Sequence, residues 1–332
     1  MNVLDVSDLH VEIATRAGLV RAVDGVSLQV PRGEAMGLVG ESGSGKSMTL
    51  RAILGVLPPE ARISAGQVLL DGVDLVPLTS AALNRVRGPK LAMIFQEPMS
   101  ALNPVMRVGW QIAEGPRVHL GYGRSKAAAR AVELMRRVGI PDPERRLRAY
   151  PHELSGGIRQ RVMIAIALSC DPEVILCDEP TTALDVTIQD QILRLLAKLC
   201  RESGVSLLFV THDLPVVAQL CQSLAVMYGG QIVEQGGVGE IFAQPCHPYT
   251  LGLLRSAPDV EHVLASLVPI PGSPPSLITP PAGCRFHPRC GFAAADCVEQ
   301  APELAPLPGG RSTSCLHHER CLEPLASPGA AR

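Results

Sequence analysis

The chain has 332 residues, 46% of them hydrophobic and 19% charged, with a formal net charge of -2. That is the composition of a globular protein with room for a large core, and with aromatics at only 3% the core must be aliphatic. Lys and Arg are scattered and form no basic stripe, which argues against nucleic acid as a partner. No apolar run reaches the length of about eighteen residues that spans a bilayer, and the acidic start MNVLDVSDLHVE is unlike a signal peptide, so a cytosolic chain is expected.

In chain order, residues 1 to 95 read as strand-rich, with alternation in LHVEI, VSLQV and QVLLDG and a buried strand at Ala35 to Val39 that ends in a glycine loop. From Glu97 to Tyr150 the pattern turns helical: RSKAAARAVELMRRVG carries its apolar residues at helical spacing and closes on Gly139. Residues 160 to 240 alternate helix and strand, with VILC and SLLFV as the short aliphatic runs of a parallel sheet covered on both faces. After Pro245 proline and glycine rise and periodicity fades, which marks an extension over about 245 to 332.

Four stretches carry chemistry. GESGSGKS, Gly40 to Ser47, follows a strand and opens a helix. That is the setting of a phosphate loop: backbone amides converge on the β-phosphate, Lys46 reaches the β and γ oxygens, and the Ser47 hydroxyl goes to Mg2+. VILCDEP brings Asp178 to the metal and places Glu179 where an attacking water needs a base, while SLLFVTHD ends a second strand at His212, within reach of a γ-phosphate. LSGGIRQR, Leu154 to Arg161, is a second anion cradle, a serine and two glycines at a helix N-terminus, but it has no lysine. From the residues alone Ser155 is expected to cap the helix, either as its whole role or while also serving as a phosphate ligand.

Taken in order, GESGSGKS, the glutamine of IFQEP, LSGGIRQR, VILCDEP, TALD and the histidine of VTHD resemble the ATP-binding subunits of ABC transporters. The resemblance implies an α/β fold: a P-loop NTPase nucleotide-binding domain over 1–244 with an antiparallel β subdomain, a parallel sheet core and a helical insert near 97–157, followed by a cysteine-rich extension over 245–332. It implies ATP bound by Gly40, Glu41, Ser42, Gly43, Ser44, Gly45, Lys46, Ser47 and Met48, Mg2+ held through Ser47, Gln96 and Asp178, and catalysis by Glu179, His212 and Gln96. It also answers the question of the lysine-free cradle: Ser155, Gly156 and Gly157, with Asp185 of the D-loop Ala183 to Asp185, contact the ATP held by a second subunit. The family's usual aromatic platform for adenine is missing, since no Phe, Tyr or Trp precedes Phe95. Arg16 can stack through its guanidinium plane instead.

FQEPMSALNPVMRVGWQI, LSGGIRQRVMIAIAL and the tail with HPYTLGLL, PGSPP and GCRFHPRC resemble most the dipeptide and oligopeptide importers, and nickel and glutathione importers share much of this. The resemblance implies a peripheral protein on the cytoplasmic face of the membrane. Its partners would be a second ATPase subunit, similar but distinct or else another copy of this chain, two permease subunits and, indirectly, a substrate-binding protein, with Pro98 to Trp110 as the docking segment. Repair and translation ATPases of the same class are the rival reading, but they carry a long coiled coil or a second nucleotide domain that is missing here. Ten cysteines are many for a cytosolic chain, and Cys284, Cys290, Cys297 and Cys315 crowd the extension as C-x5-C-x6-C-x17-C with Cys321 in reserve. This spacing leaves Zn2+, an iron-sulfur cluster and free thiols all open. The resemblance points to a [4Fe-4S] cluster. Cys170, Cys177, Cys200 and Cys221 read as inert interior residues.

Overall fold

The computed structural model describes residues 1–182, 184–256 and 269–322. Twelve strands follow in chain order: β1 (Asn2–Thr15), β2 (Gly18–Pro31), β3 (Ala35–Val39), β4 (Ala61–Leu70), β5 (Val73–Asp74), β6 (Leu91–Ile94), β7 (Val174–Asp178), β8 (Ser206–Thr211), β9 (Ser223–Tyr228), β10 (Gln231–Gly237), β11 (Ala305–Leu307) and β12 (Arg311–Thr313). They form two sheets, a four-stranded one in the order β2-β1-β4-β5 and an eight-stranded one in the order β11-β12-β10-β9-β3-β8-β7-β6. The pairs β9-β3, β3-β8, β8-β7 and β7-β6 are parallel, and β10 to β12 add an antiparallel flank.

The aliphatic runs dictate this layering. In β8, Leu207 and Phe209 join the core on one face, and Leu208 and Val210 join the core between the two sheets. The same alternation splits Ile175 and Cys177 from Val174 and Leu176 in β7, so each central strand is apolar throughout because both its faces are covered. The helix Lys46–Leu54 buries Leu50 and Ile53 between the sheets, while the helices Val108–His119, Arg124–Arg137, Gly156–Ala167 and Val186–Ser203 pack on the other face. The helix Arg124–Arg137 ends as expected on Gly139, at φ 73°, where Gly139 N–H donates to Arg136 O and Ile140 N–H to Met135 O.

The extension makes structure that its proline content did not announce. β12 pairs with β10 through Glu234↔Thr313 and Gln235↔Ser312, so residues beyond 300 enlarge the central sheet. Where the chain leaves that sheet, the buried Glu234 carboxylate accepts the N–H groups of Cys246 (2.6 Å) and His247 (3.0 Å), ahead of the helix Pro248–Ser256. Phe286 then closes on Tyr228 (5.2 Å between ring centroids) and Tyr249 (5.4 Å), which concentrates in one place much of the little aromatic surface the chain owns. Cys170, Cys177, Cys200 and Cys221 are buried. Burial pushes the Cys200 thiol up to about 11 and Cys221 up to about 12, so both stay protonated and unreactive. In the expected docking segment Leu102 belongs to the core, whereas Met99, Val105 and Trp110 face solvent. Among the described residues no helix is long and apolar enough to cross a membrane.

Candidate active site

The phosphate loop leaves the C-terminal end of β3 and enters the helix Lys46–Leu54 through Gly45 at φ 108°. A Cβ on Gly45 would stand 2.3 Å from the Ala22 carbonyl oxygen, so only glycine lets the loop lie this close to β2. Lys46 is buried, and its Nζ donates to the carbonyls of Gly40 (2.7 Å) and Glu41 (2.9 Å). Burial lowers its pKa, and the nearby carboxylates of Glu179, Asp178 and Glu41 work in the opposite direction. Ser44 Oγ is buried without a hydrogen-bond partner among the described residues, an orphan that an incoming phosphate oxygen would satisfy. Ser42 and Gly43 form the exposed rim, and Met48 lies in the first turn of the helix.

Parallel pairing of β6, β7 and β8 puts the ends of these strands side by side, and the remaining chemistry gathers there. Ser47 Oγ donates to Asp178 Oδ1 at 2.7 Å, a hydroxyl and a carboxylate that together can hold a hard cation. Burial raises the Asp178 pKa, and the hydrogen bond from Ser47 opposes that rise. The next residue, Glu179, adopts φ 44°, a left-handed conformation that costs a non-glycine residue about 1 kcal/mol or more and re-aims its side chain out of the strand. Its Oε2 accepts from Thr182 Oγ1 (2.9 Å) and Gln96 Nε2 (3.4 Å) and lies 3.1 Å from His212 Nδ1. Thus Gln96, Glu179 and His212, read separately from three strand ends, converge on one carboxylate oxygen. Thr182 was not singled out in the sequence; its only signal was a hydroxyl three residues after the acid.

The second cradle stands apart: among the described residues no hydrogen bond joins Leu154 to Arg161 with Gly40 to Met48. Here one expectation is corrected. Ser155 sits at the N-cap in extended conformation but among the described residues makes no capping hydrogen bond, and its backbone carbonyl alone closes the first turn, accepting Arg159 N–H at 2.9 Å. The exposed hydroxyl therefore stays available to an outside anion. Gly156 has open space around it, since a Cβ there would come no nearer than 3.9 Å to Leu184 Cδ2, while a Cβ at Gly157 would stand 2.8 Å from Ile188 Cγ2. The Asp185 carboxylate caps the helix Val186–Ser203 by accepting Ile188 N–H at 2.9 Å. Ala183 of the expected D-loop lies outside the described residues. Arg16 is exposed in the turn between β1 and β2, and the extension borders that hairpin through Leu277 O, which accepts Arg21 N–H at 3.0 Å.

Cys284, Cys290, Cys297 and Cys315 line one cavity, beside Phe286 and His317. Cys321 is buried but is not part of that lining. Burial raises the pKa of Cys284 and Cys290 and pushes Cys315 up to about 12, so thiolates in this pocket require a cation beside them.

The matches to known proteins agree with this geometry. Residues 23–182 match the ABC transporter family and residues 233–297 the C-terminal region of oligopeptide/dipeptide transporters. A probable peptide ABC transporter ATP-binding protein of Sinorhizobium fredii is 49% identical over 314 residues, 94% of each chain. A putative peptide import ATP-binding protein of Brucella melitensis is 49% identical over 332 residues, 96% of each chain. This chain belongs to the ABC transporter family. Among solved structures, the bacterial ABC transporter cassette MJ0796, also solved as a dimer with ADP and Pi, superposes on this ABC subunit with a TM-score of 0.63 at 27% identity, covering 71% of this chain and 98% of the cassette. CbiO1 from Clostridium perfringens gives 0.63 at 28% identity, covering 73% and 91%. The fold is the ABC ATPase cassette, and the subunit is an ABC-type ATPase that binds ATP.

Proposed function

We propose that this subunit hydrolyses ATP to drive import of di- or oligopeptides through two membrane permease subunits, working as a peripheral protein on the cytoplasmic face beside a second ATPase chain. The observation that carries the catalytic half is the convergence of Gln96, Thr182 and His212 on Glu179 Oε2. In this reading Glu179 takes a proton from the attacking water, His212 and Gln96 sense the γ-phosphate, and Lys46 trades its carbonyl partners for phosphate oxygens. The amides and side chains from Gly40 to Met48 wrap the triphosphate. Ser47 and Asp178, joined by Gln96, would hold Mg2+, which would supply charge neutralisation on the triphosphate. Arg16 lies against the base. Ser155, Gly156, Gly157 and Asp185 serve the nucleotide of the facing subunit, and the free Ser155 hydroxyl supports that assignment.

The peptide cargo rests on the full-length likeness to peptide import proteins and on the extension, and nickel or glutathione are the alternatives for the same architecture. A soluble ATPase acting on DNA or ribosomes leaves the extension unexplained. The exposed Met99, Val105 and Trp110 suit the docking segment toward the permeases. We place the boundary of the nucleotide domain near residue 244.

For the cysteines we favour a [4Fe-4S] cluster over Zn2+. Four thiolates around one Zn2+ at about 2.3 Å stand close together, roughly 4 Å apart. Among the described residues, the group of three or more possible ligand atoms lying within 4.8 Å of one another is Asp296, Cys297 and His317, and Cys284, Cys290 and Cys315 line the same cavity without joining that group. Four cysteines lining one cavity supply the ligand count of a [4Fe-4S] cluster.

Replacing Glu179 with Gln tests the central claim: turnover should fall by about a hundredfold or more while ATP stays bound and a closed dimer accumulates on gel filtration. Undiminished turnover would remove Glu179 from its role. Iron and sulfide assay after anaerobic purification tests the cluster, and stoichiometric zinc without iron would overturn it.

A further inference from the structure

The segment between the first two cavity cysteines, Cys284-Arg285-Phe286-His287-Pro288-Arg289-Cys290, reaches into the nucleotide site. Arg289, whose side chain is 5% exposed, forks onto Glu41, the second residue of the phosphate loop: Nη1 to Oε2 at 2.7 Å and Nη2 to Oε1 at 2.9 Å. The guanidinium also donates to Tyr228 Oη (3.3 Å) and, through Nε, to Pro271 O (2.7 Å), and it lies 5.7 Å from the Tyr228 ring centroid. From the same extension Tyr249 Oη accepts Glu41 N–H at 2.8 Å. The Glu41 carbonyl in turn accepts Lys46 Nζ (2.9 Å) and Ser44 N–H (3.2 Å). Every polar group of Glu41 is therefore engaged, and the extension takes its amide and its carboxylate. Arg285 adds a second hold, donating to Asp24 and to the carbonyl of Gly229, next to Gly230, whose N–H donates to Ser44 O at 2.9 Å.

We propose that Arg289, supported by Tyr249, is a positioning residue of the ATP site: the extension fixes the phosphate loop in its binding shape through Glu41. A loop whose amides must converge on an anion binds in proportion to the time it spends in that shape, so releasing Glu41 lowers apparent affinity. A bidentate, buried arginine-carboxylate pair is the right tool, because its geometry is fixed by two parallel bonds that a lysine cannot make. The inference rests on the ATP-site reading above and assigns the extension a role in nucleotide binding that is separate from whatever fills the cysteine cavity.

The test measures ADP affinity by calorimetry on the full chain, together with KM and kcat for ATP, for Glu41→Gln, Arg289→Gln, Arg289→Lys and the double variant Glu41→Gln/Arg289→Gln. Each glutamine variant should weaken ADP by about tenfold and raise KM with kcat nearly unchanged. The double variant should be no worse than either single one, and Arg289→Lys should fall between them and the wild type. Should Arg289→Gln loosen the whole extension, Glu41→Gln still decides, since it leaves the bond from Arg289 to Pro271 in place. Wild-type affinity in Glu41→Gln, or effects that simply add, would overturn the proposal; a wild-type chain that fails to bind ADP would instead refute the ATP-site reading.

Discussion

His247 lets acid sensitivity be worked out from one ring. It is 1% exposed, its Nδ1 accepts the Tyr249 N–H at 3.1 Å, and its ring lies 5.8 Å from that of Phe286. Burial disfavours the imidazolium and lowers the pKa from 6.5 to about 3. The unfolded chain takes up a proton near pH 6.5 while the folded one stays neutral until about pH 3, so the contribution to stability is intact above 6.5 and is lost as pH falls. At about 1.4 kcal/mol per pH unit, lowering pH from 6.5 to 5 removes roughly 2 kcal/mol. Glu234, buried in the same region, has its pKa raised by burial and acts with the opposite sign, so the useful quantity is a difference between two proteins. Urea unfolding at pH 7.5 and 5 should show His247→Asn, which keeps an acceptor for Tyr249, losing roughly 2 kcal/mol less than the wild type on acidification. Equal losses in the two proteins would show that His247 is not held neutral by its surroundings.

Gly156→Ala should leave thermal melting unchanged, because a methyl there meets nothing closer than 3.9 Å, yet weaken ATP-driven dimerisation in a Glu179→Gln background by about tenfold or more. Intact dimerisation would mean that the cradle serves no second nucleotide. Gly157→Ala, by contrast, drives a methyl into Ile188 and should destabilise the isolated chain by about 1–3 kcal/mol, seen as a lower urea midpoint without nucleotide. Phe286→Ala empties a site between Tyr228 and Tyr249 and should cost roughly 3 kcal/mol, read from melting of the near-ultraviolet aromatic signal. Lys46→Ala should raise the ADP dissociation constant by about tenfold or more while the fold persists by circular dichroism.

What could be read in advance followed local rules. A phosphate loop needs its glycines and lysine at fixed offsets, and a parallel strand covered twice must be apolar at every position, so β3, β7 and β8 and the acids at their ends were legible from short windows. Contacts between distant segments were not. Nothing near Glu41 in the sequence points to Arg289, 248 residues away, and three-residue strands such as β11 and β12 are too short to carry a period. Ser155 marks the limit of a local rule: the residue type at a helix start announces a cap, but whether the hydroxyl turns inward depends on what the surrounding fold asks of it.

Strand β10 acquires its outer neighbour from Arg311–Thr313. During synthesis the nascent cassette therefore carries an unpaired sheet margin from the completion of Gly237 until those residues leave the ribosome, and a chain interrupted in between presents a ready template for self-association.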